Sequence, residues 1–200
     1  TAAFTDGSGT SENPYQIASA EQLAYMASQL NDSSTYSTYK DSYYILTIDL
    51  DLNCQDWTPI SNSNAVPFCG SFDGGEHTIT LRNGTGAVST AGLFGYIGSS
   101  GTVKNLTVSC NMSESAAGDV YLGTVAAWNY GTITSCSATG TLTGEATAAT
   151  NNKNSGIFIG GIAAINFGDI TYCSTACSVG SNGIYGSVST ESNRPNAYLG

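Results

Sequence analysis

Positive charge is scarce in this 200-residue chain: five Lys and Arg stand against 15 Asp and Glu, a formal net charge of −10. Phosphate recognition needs a basic face, so nucleic acid is excluded as a partner. Anionic membrane surfaces are disfavoured for the same reason. Solubility through net charge accounts for the acidity. Charge of either sign is thin, at 10% of residues, whereas helix-rich enzymes carry more Lys, Glu, Leu and Arg. No apolar run reaches about 18 residues, which excludes a membrane-spanning helix. No signal peptide is visible, and a chain beginning at Thr1 fits a mature, processed or excised product. A single His and the lack of a Cys-x-x-Cys pair argue against zinc.

What is plentiful points to strands and turns. Gly contributes 24 residues and Tyr 12, and the polar bulk is Ser, Thr and Asn. Two hundred residues suit one domain or one elongated repeat body. Six Cys in so charge-poor a chain lean towards an extracellular setting. Asn31, Asn83, Asn105 and Asn111 stand in Asn-x-Ser/Thr triplets and are possible N-glycosylation sites in a host that glycosylates.

Self-similarity organises the chain. Residues 91–108, AGLFGYIGSSGTVKNLTV, return as LGTVAAWNYGTI from Leu122 and as IGGIAAINFGDI from Ile159, and Tyr198-Leu199-Gly200 opens a further copy. Aligned on Gly101, Gly131 and Gly168, the copies are 30 and 37 residues apart. The seven extra residues fall in the polar stretch Glu145–Ser155, EATAATNNKNS, which reads as a surface loop. Each copy has three strand-like pieces, Leu122–Trp128, Thr132–Ala138 and Thr139–Leu142 in the second, with Gly or Asn at the corners. Repeats that cannot bury their own apolar face must stack. The predicted fold is therefore all-β, a single parallel β-helix or solenoid, right-handed by the geometry of parallel crossovers.

Upstream, Tyr15–Ile17 reads as a short strand. The spacing of Leu23, Met26, Ala27 and Leu30 behind an N-capping Ser19 predicts one capping helix. Residues 1–34 thus form a lead-in strand and helical cap. Residues 35–200 form the body, with repeats near 91–121, 122–158 and 159–197 and a truncated one at 198–200. Tyr44–Leu52 is expected as one strand with an apolar and an acidic face, and residues 67–81 as two strands around Asp73-Gly74-Gly75.

The order of GTSENPYQIASAEQL, IDLDLNCQDWTPI, FCGSFDGGEHTI and GLFGYIGSSGTVKNLTV resembles the GLUG-motif repeat proteins of microbial cell surfaces, from about Gly9 to Gly200. The resemblance implies a β-helical, extracellular, adhesin-like or polysaccharide-associated module without shared catalytic residues. Ala127 and Ala164 stand where such repeats often carry Gly, and Cys is more abundant than the family suggests.

Few residues suggest chemistry. Asp49, Asp51, Asp56 and Asp73 could hold calcium or cut a glycan as paired carboxylates. The simpler reading is a solvated strand face and turn-forming Asp. His77 lacks a nucleophile motif beside it. In the repeat alignment Leu106, Cys136 and Cys173 share a column, as do Cys110, Gly140 and Cys177. Strand spacing allows Cys136 and Cys173 to bond or merely stack, and puts Cys110 and Cys177 too far apart. Cys54 and Cys69 are the first choice for a disulfide. Trp57, Phe94, Trp128, Tyr130, Phe158 and Phe167 read as a stacked core or corner column before a carbohydrate platform, and Tyr36, Tyr39 and Tyr43 as the exposed tyrosines.

The functional expectation is a non-catalytic, extracellular or cell-surface structural, adhesin-like module with no cofactor, no metal and no membrane insertion. Its partners would be itself, end to end, or extracellular glycans. The alternatives are a filament or sheath subunit and a polysaccharide-binding or polysaccharide-cleaving protein, the latter weakened by the five scattered cations.

Overall fold

The computed structural model describes residues 3–52, 57–82, 89–147, 156–181 and 196–199. After β1 (Tyr15–Ile17) come α1 (Ala20–Asn31) and α2 (Tyr36–Tyr39), then β2 (Tyr43–Leu46) and β3 (Leu50–Asp51). A first full circuit is β4 (Ser71–Asp73), β5 (Thr78–Arg82), β6 (Thr90–Ala91) and β7 (Phe94–Ile97). A second is β8 (Thr102–Lys104), β9 (Thr107–Ala117), β10 (Val120–Gly123) and β11 (Ala126–Asn129). The third is β12 (Thr132–Thr134), β13 (Ser137–Thr147), β14 (Gly156–Gly160) and β15 (Ala163–Asn166). β16 (Asp169–Thr171), β17 (Ser174–Ser181) and β18 (Asn196–Leu199) follow.

Every strand pairing among the described residues is parallel, and each circuit visits four sheets in the same order. The first sheet is β1-β2-β4-β8-β12-β16, the second β3-β5-β9-β13-β17, the third β6-β10-β14-β18 and the fourth β7-β11-β15. Strands that neighbour in a sheet are about one repeat apart in sequence. In the first sheet one inward column runs Tyr15, Tyr44, Phe72, Val103, Ile133, Ile170. Its last two steps, Val103 to Ile133 and Ile133 to Ile170, keep the 30- and 37-residue spacing of the repeats. The same column extends upstream to β1, so the lead-in strand is already the first rung of the stack. β18 pairs Leu199 with Ile159, which places the opening of the further copy in register.

Alternating side chains fill one core, with Phe72, Val103, Ile133, Val108, Leu142 and Leu122 all fully buried. Fully burying such side chains contributes roughly 1.5–3 kcal/mol each. The helix joins this core through Leu23, Met26, Ala27 and Leu30. Ser19 caps it by accepting from the Gln22 N–H, while Gln22 Oε1 accepts from the Ala18 N–H at 2.8 Å. Asn31 fastens the other end, donating to the Pro59 carbonyl and accepting from the Asn62 N–H.

Two local devices set the corners. Ser42, Gly70, Gly101, Gly131 and Gly168 precede equivalent strands of the first sheet, and the carbonyl of each of the first four accepts from the next circuit, as Gly131 O does from the Asp169 N–H at 2.8 Å. A Cβ on Gly131 would lie 2.2 Å from Gly101 O, which explains the conserved spacing of Gly within the chain. Between the first and second sheets the backbone turns through left-handed residues at Asn105, Ser135 and Tyr172, with φ of 52°, 53° and 54°.

These corners divide strands that the sequence reads as continuous. Leu122–Trp128 breaks at residues 124–125, and Thr132–Ala138 breaks at Ser135, so a circuit has four strands instead of three. Tyr44–Leu52 likewise splits, and Ile48 turns outward with 44% exposure. β4 and β5, on either side of Asp73-Gly74-Gly75, lie in different sheets and do not pair. The short α2 is an addition to the single expected helix.

Candidate functional site

A groove of about 230 Å³ opens on the outer face of the first sheet, lined by Asp41, Tyr43, Cys69, Gly70, Ser71, Ser100, Thr102 and Lys104. Parallel stacking assembles it from three circuits. Tyr43, Ser71 and Thr102 occupy one register column and point outward, because their neighbours Tyr44, Phe72 and Val103 fill the core. Gly70 is part of the lining, and a Cβ there would meet Ser42 O at 2.1 Å.

The polar groups of the groove are held from behind. Lys104 Nζ lies 3.2 Å from Asp73 Oδ2. Asp73 also accepts from the Gly75 N–H at 3.0 Å and from Asn105 Nδ2 at 3.1 Å. Partial burial pushes the Asp73 carboxyl up, and the Gly75, Asn105 and Lys104 donors outweigh it, leaving it below its ordinary value. Asp41 is paired with Lys40, whose ammonium is held above its ordinary value by that contact. Ser100 Oγ donates to the Cys69 carbonyl at 3.2 Å. The hydroxyls of Tyr43, Ser71 and Thr102 have no hydrogen-bond partner among the described residues. Tyr43 is 41% exposed.

The acidic constellation does not converge. Asp49 accepts from the Thr78 N–H at 2.8 Å and pairs with His77 Nδ1 at 3.1 Å, contacts that lower its pKa. Asp73 is engaged in the next circuit, and Asp56 lies outside the described residues. Among the described residues no group of three or more His, Cys, Asp or Glu comes together as a metal site. His77 serves as a hydrogen-bonding partner of Asp49.

The cysteine columns are in the predicted register: Gly140 pairs with Cys110 and Cys177, and Ser137, which follows Cys136, pairs with Ser174, which follows Cys173. All five described cysteines are free thiols, so the disulfides expected for Cys69 and for Cys136 with Cys173 are not formed in this structure. Cys136 and Cys173 stack, with the Cys136 N–H 3.4 Å from Cys173 Sγ, and each thiol donates to the carbonyl two residues before it at 3.3 Å. Cys69 donates to the Pro67 carbonyl at 3.4 Å, and Cys54 lies outside the described residues. Thr124 Oγ1 sits between Cys110 and Cys177, 3.5 and 3.7 Å from their sulfurs.

Of the glycosylation candidates, Asn111 is exposed on β9. Asn31 and Asn105 spend their amides on Pro59 and Asp73, and Asn83 lies outside the described residues. The aromatics separate into two groups. Phe94 is core, and Trp57 donates to the Leu93 carbonyl. Trp128, Tyr130, Phe158 and Phe167, with Tyr96 and Tyr121, form ladders outside the core. Tyr130 stacks on Phe167 at 5.3 Å and 14°, Tyr121 on Phe158 at 4.9 Å and 9°, and Tyr96 on Trp128 at 6.0 Å and 8°. Tyr36 and Tyr39 are half-buried, Tyr36 donating to the Pro67 carbonyl, so only Tyr43 of the three is exposed.

No protein-family model matches the chain. It is 36% identical over 169 residues to halomucin of Haloquadratum walsbyi, covering 78% of this chain and 2% of that protein. It is 33% identical over 132 residues to a protein of Evansella cellulosilytica named as a Gly-rich membrane protein, covering 65% of this chain and 15% of that one. The chain thus spans a small fraction of the length of these relatives. Among solved structures, a Bacteroides ovatus chain named as an immunoglobulin A1 protease superposes over 98% of this chain and 78% of its own, with a TM-score of 0.57 at 19% identity. That likeness concerns the fold alone. No helix among the described residues is long and apolar enough to cross a membrane.

Proposed function

We propose that this chain is a non-catalytic segment of a long cell-surface or secreted protein, a right-handed parallel β-helix of the GLUG-repeat kind that acts as a stiff, adhesin-like structural module. The observation that carries this reading is the uninterrupted first sheet, six strands stacked in parallel from β1 to β16. A stack held by backbone ladders between every pair of neighbours resists bending and displays its outer faces along a rod. The named relatives support the setting: one is a mucin by name and the other a membrane protein, and both are far longer than the matched segment.

The test is in two arms. Antibody raised against the purified chain should label intact cells of the source organism, and brief external protease treatment should remove the label. Labelling only after permeabilisation would overturn the surface assignment. Incubation with soluble polysaccharides should release no new reducing ends; turnover that disappears in Asp41→Asn or Asp73→Asn would make the protein an enzyme.

A further inference from the structure

We propose that the groove between Asp41, Tyr43 and Lys104 binds one ring of an uncharged hexose polymer, whose neighbouring rings run along the hydroxyl column of the first sheet. This goes beyond the structural-module reading and does not depend on it.

Ligand class follows by elimination from the lining. The charges come as two neutralised pairs, Lys40 with Asp41 and Lys104 with Asp73, so the groove has no net charge of its own. The surrounding chain carries −10, and Asp41 stands at the rim with its side chain 63% exposed, which repels a free anion. A cation would meet only one carboxylate in the lining, that of Asp41, which is already paired with Lys40, and the same lining holds the cationic Lys104. An apolar ligand would find one apolar surface, the ring of Tyr43, among hydroxyls and charges. An uncharged polyhydroxylated ring satisfies all of them. Its hydroxyls donate to Asp41, accept from Lys104 and do either with Ser71 and Thr102. Its C–H face packs on Tyr43, which offers an apolar body beside a polar tip.

Size and direction favour a ring within a polymer. A groove of about 230 Å³ is smaller than the roughly 300–1,000 Å³ of drug-sized sites. It is open at the sheet surface, and the column Ser71, Thr102, Thr132 continues from it at the strand spacing of about 4.8 Å. Two residues along the strands, on the same outer face, Thr171 Oγ1 donates to Thr134 Oγ1 at 2.9 Å, so two further hydroxyls follow Lys104 in its column.

The experiment is an amide NMR titration of the full chain with cellohexaose, laminarihexaose and mannohexaose, and with tri-galacturonate as the anionic comparison. At least one neutral probe should move the Ser71, Ser100 and Thr102 amides saturably. Tyr43→Ala should weaken that probe about tenfold, a loss of about 1.4 kcal/mol, while Tyr43→Phe stays within about threefold because the ring face is kept. The proposal is overturned if none of the three neutral probes moves those amides at about 10 mM, or if tri-galacturonate binds more tightly than all of them. It is equally overturned if Tyr43→Ala, folded by its amide spectrum, binds as the parent does. Failure here leaves the structural-module reading standing. Cleavage of a bound probe would end the non-catalytic reading and leave the groove assignment intact.

Discussion

The sharpest stability prediction concerns Gly131→Ala. The added Cβ would lie 2.2 Å from Gly101 O and 2.4 Å from Gly98 O, both backbone atoms of the preceding circuit. A side-chain neighbour could rotate away, but these carbonyls belong to the turn that carries the stack. Gly101 O already accepts from the Thr132 N–H at 2.9 Å. Relief requires the two circuits to part by about an ångström at this corner. Overpacking of this kind costs roughly 1–3 kcal/mol, and loosening one ladder bond adds about 1 kcal/mol, for a total of about 2–4 kcal/mol. In a chain of this length that corresponds to a fall in Tm of roughly 5–15 °C. Gly180→Ala is the control. Its Cβ would find only Thr143 Oγ1, at 3.8 Å, so the change should stay within about 0.5 kcal/mol. Urea and thermal unfolding of both variants, followed by far-UV circular dichroism, decide the matter. If Gly131→Ala melts within about 2 °C of the parent, or Gly180→Ala is equally damaging, the close-approach argument is wrong.

Other outcomes follow from the charges and thiols. The Asp73 carboxyl is held below its unfolded value, so its contribution is present above about pH 4 and is lost as pH falls through the lower folded value; unfolding measured between pH 5 and 2 should be less pH-dependent in Asp73→Asn. Burial pushes the Cys110 thiol up to about 11 and the Cys136 thiol up to about 12. In native protein at pH 8 iodoacetamide should therefore label the less buried Cys69, Cys173 and Cys177 first, as peptide mass spectrometry would show. For the same reason stability should decline as pH rises from about 8.5 towards 11, where only the unfolded thiols ionise. Exposure to oxidised glutathione should yield a Cys136–Cys173 bond and no Cys110–Cys177 bond, because Gly140 separates the latter pair by a full circuit. Closing that loop, 37 residues from one cysteine to the other, should raise stability by roughly 3–4 kcal/mol on a chain-entropy account; a Cys110–Cys177 crosslink in native protein would contradict the register.

Much of the stack is legible in the sequence because each rung repeats its own constraint. Gly101, Gly131 and Gly168 recur because a carbonyl of the adjacent circuit leaves no room for Cβ, and that exclusion is visible as a spacing. The cysteine columns and the Tyr130–Phe167 stack follow from the same alignment. The corners are less legible. Asn105, Ser135 and Tyr172 adopt the same left-handed conformation although they share no side-chain chemistry, so the turn is imposed by the sheets on either side and not by local preference. Ile48 shows the cost of ignoring it: alternation assigns it to the core, and the corner turns it to solvent.

The groove is illegible for a different reason. Asp41 and Tyr43, then Cys69 to Ser71, then Ser100 to Lys104 are three short pieces, each unremarkable in its own setting. They meet because Tyr43, Ser71 and Thr102 stand 28 and 31 residues apart and the stack folds those intervals into adjacent rungs. The first interval precedes the recognisable repeats, so an alignment that starts at residue 91 does not reach it. One signal was within reach. Phe68-Cys69-Gly70-Ser71-Phe72-Asp73 has the Gly-x-apolar-x pattern of Gly101-Thr102-Val103-Lys104 and Gly131-Thr132-Ile133-Thr134. Aligning on that pattern places Ser71 beside Thr102 and opposes Asp73 to Lys104, the ion pair at the back of the groove. In a stacked chain, then, residues that depart from the column they occupy are the ones to examine for binding: here Tyr43, an aromatic ring in line with the hydroxyls of Ser71 and Thr102, and Lys104, a cation between Asp73 and Thr134.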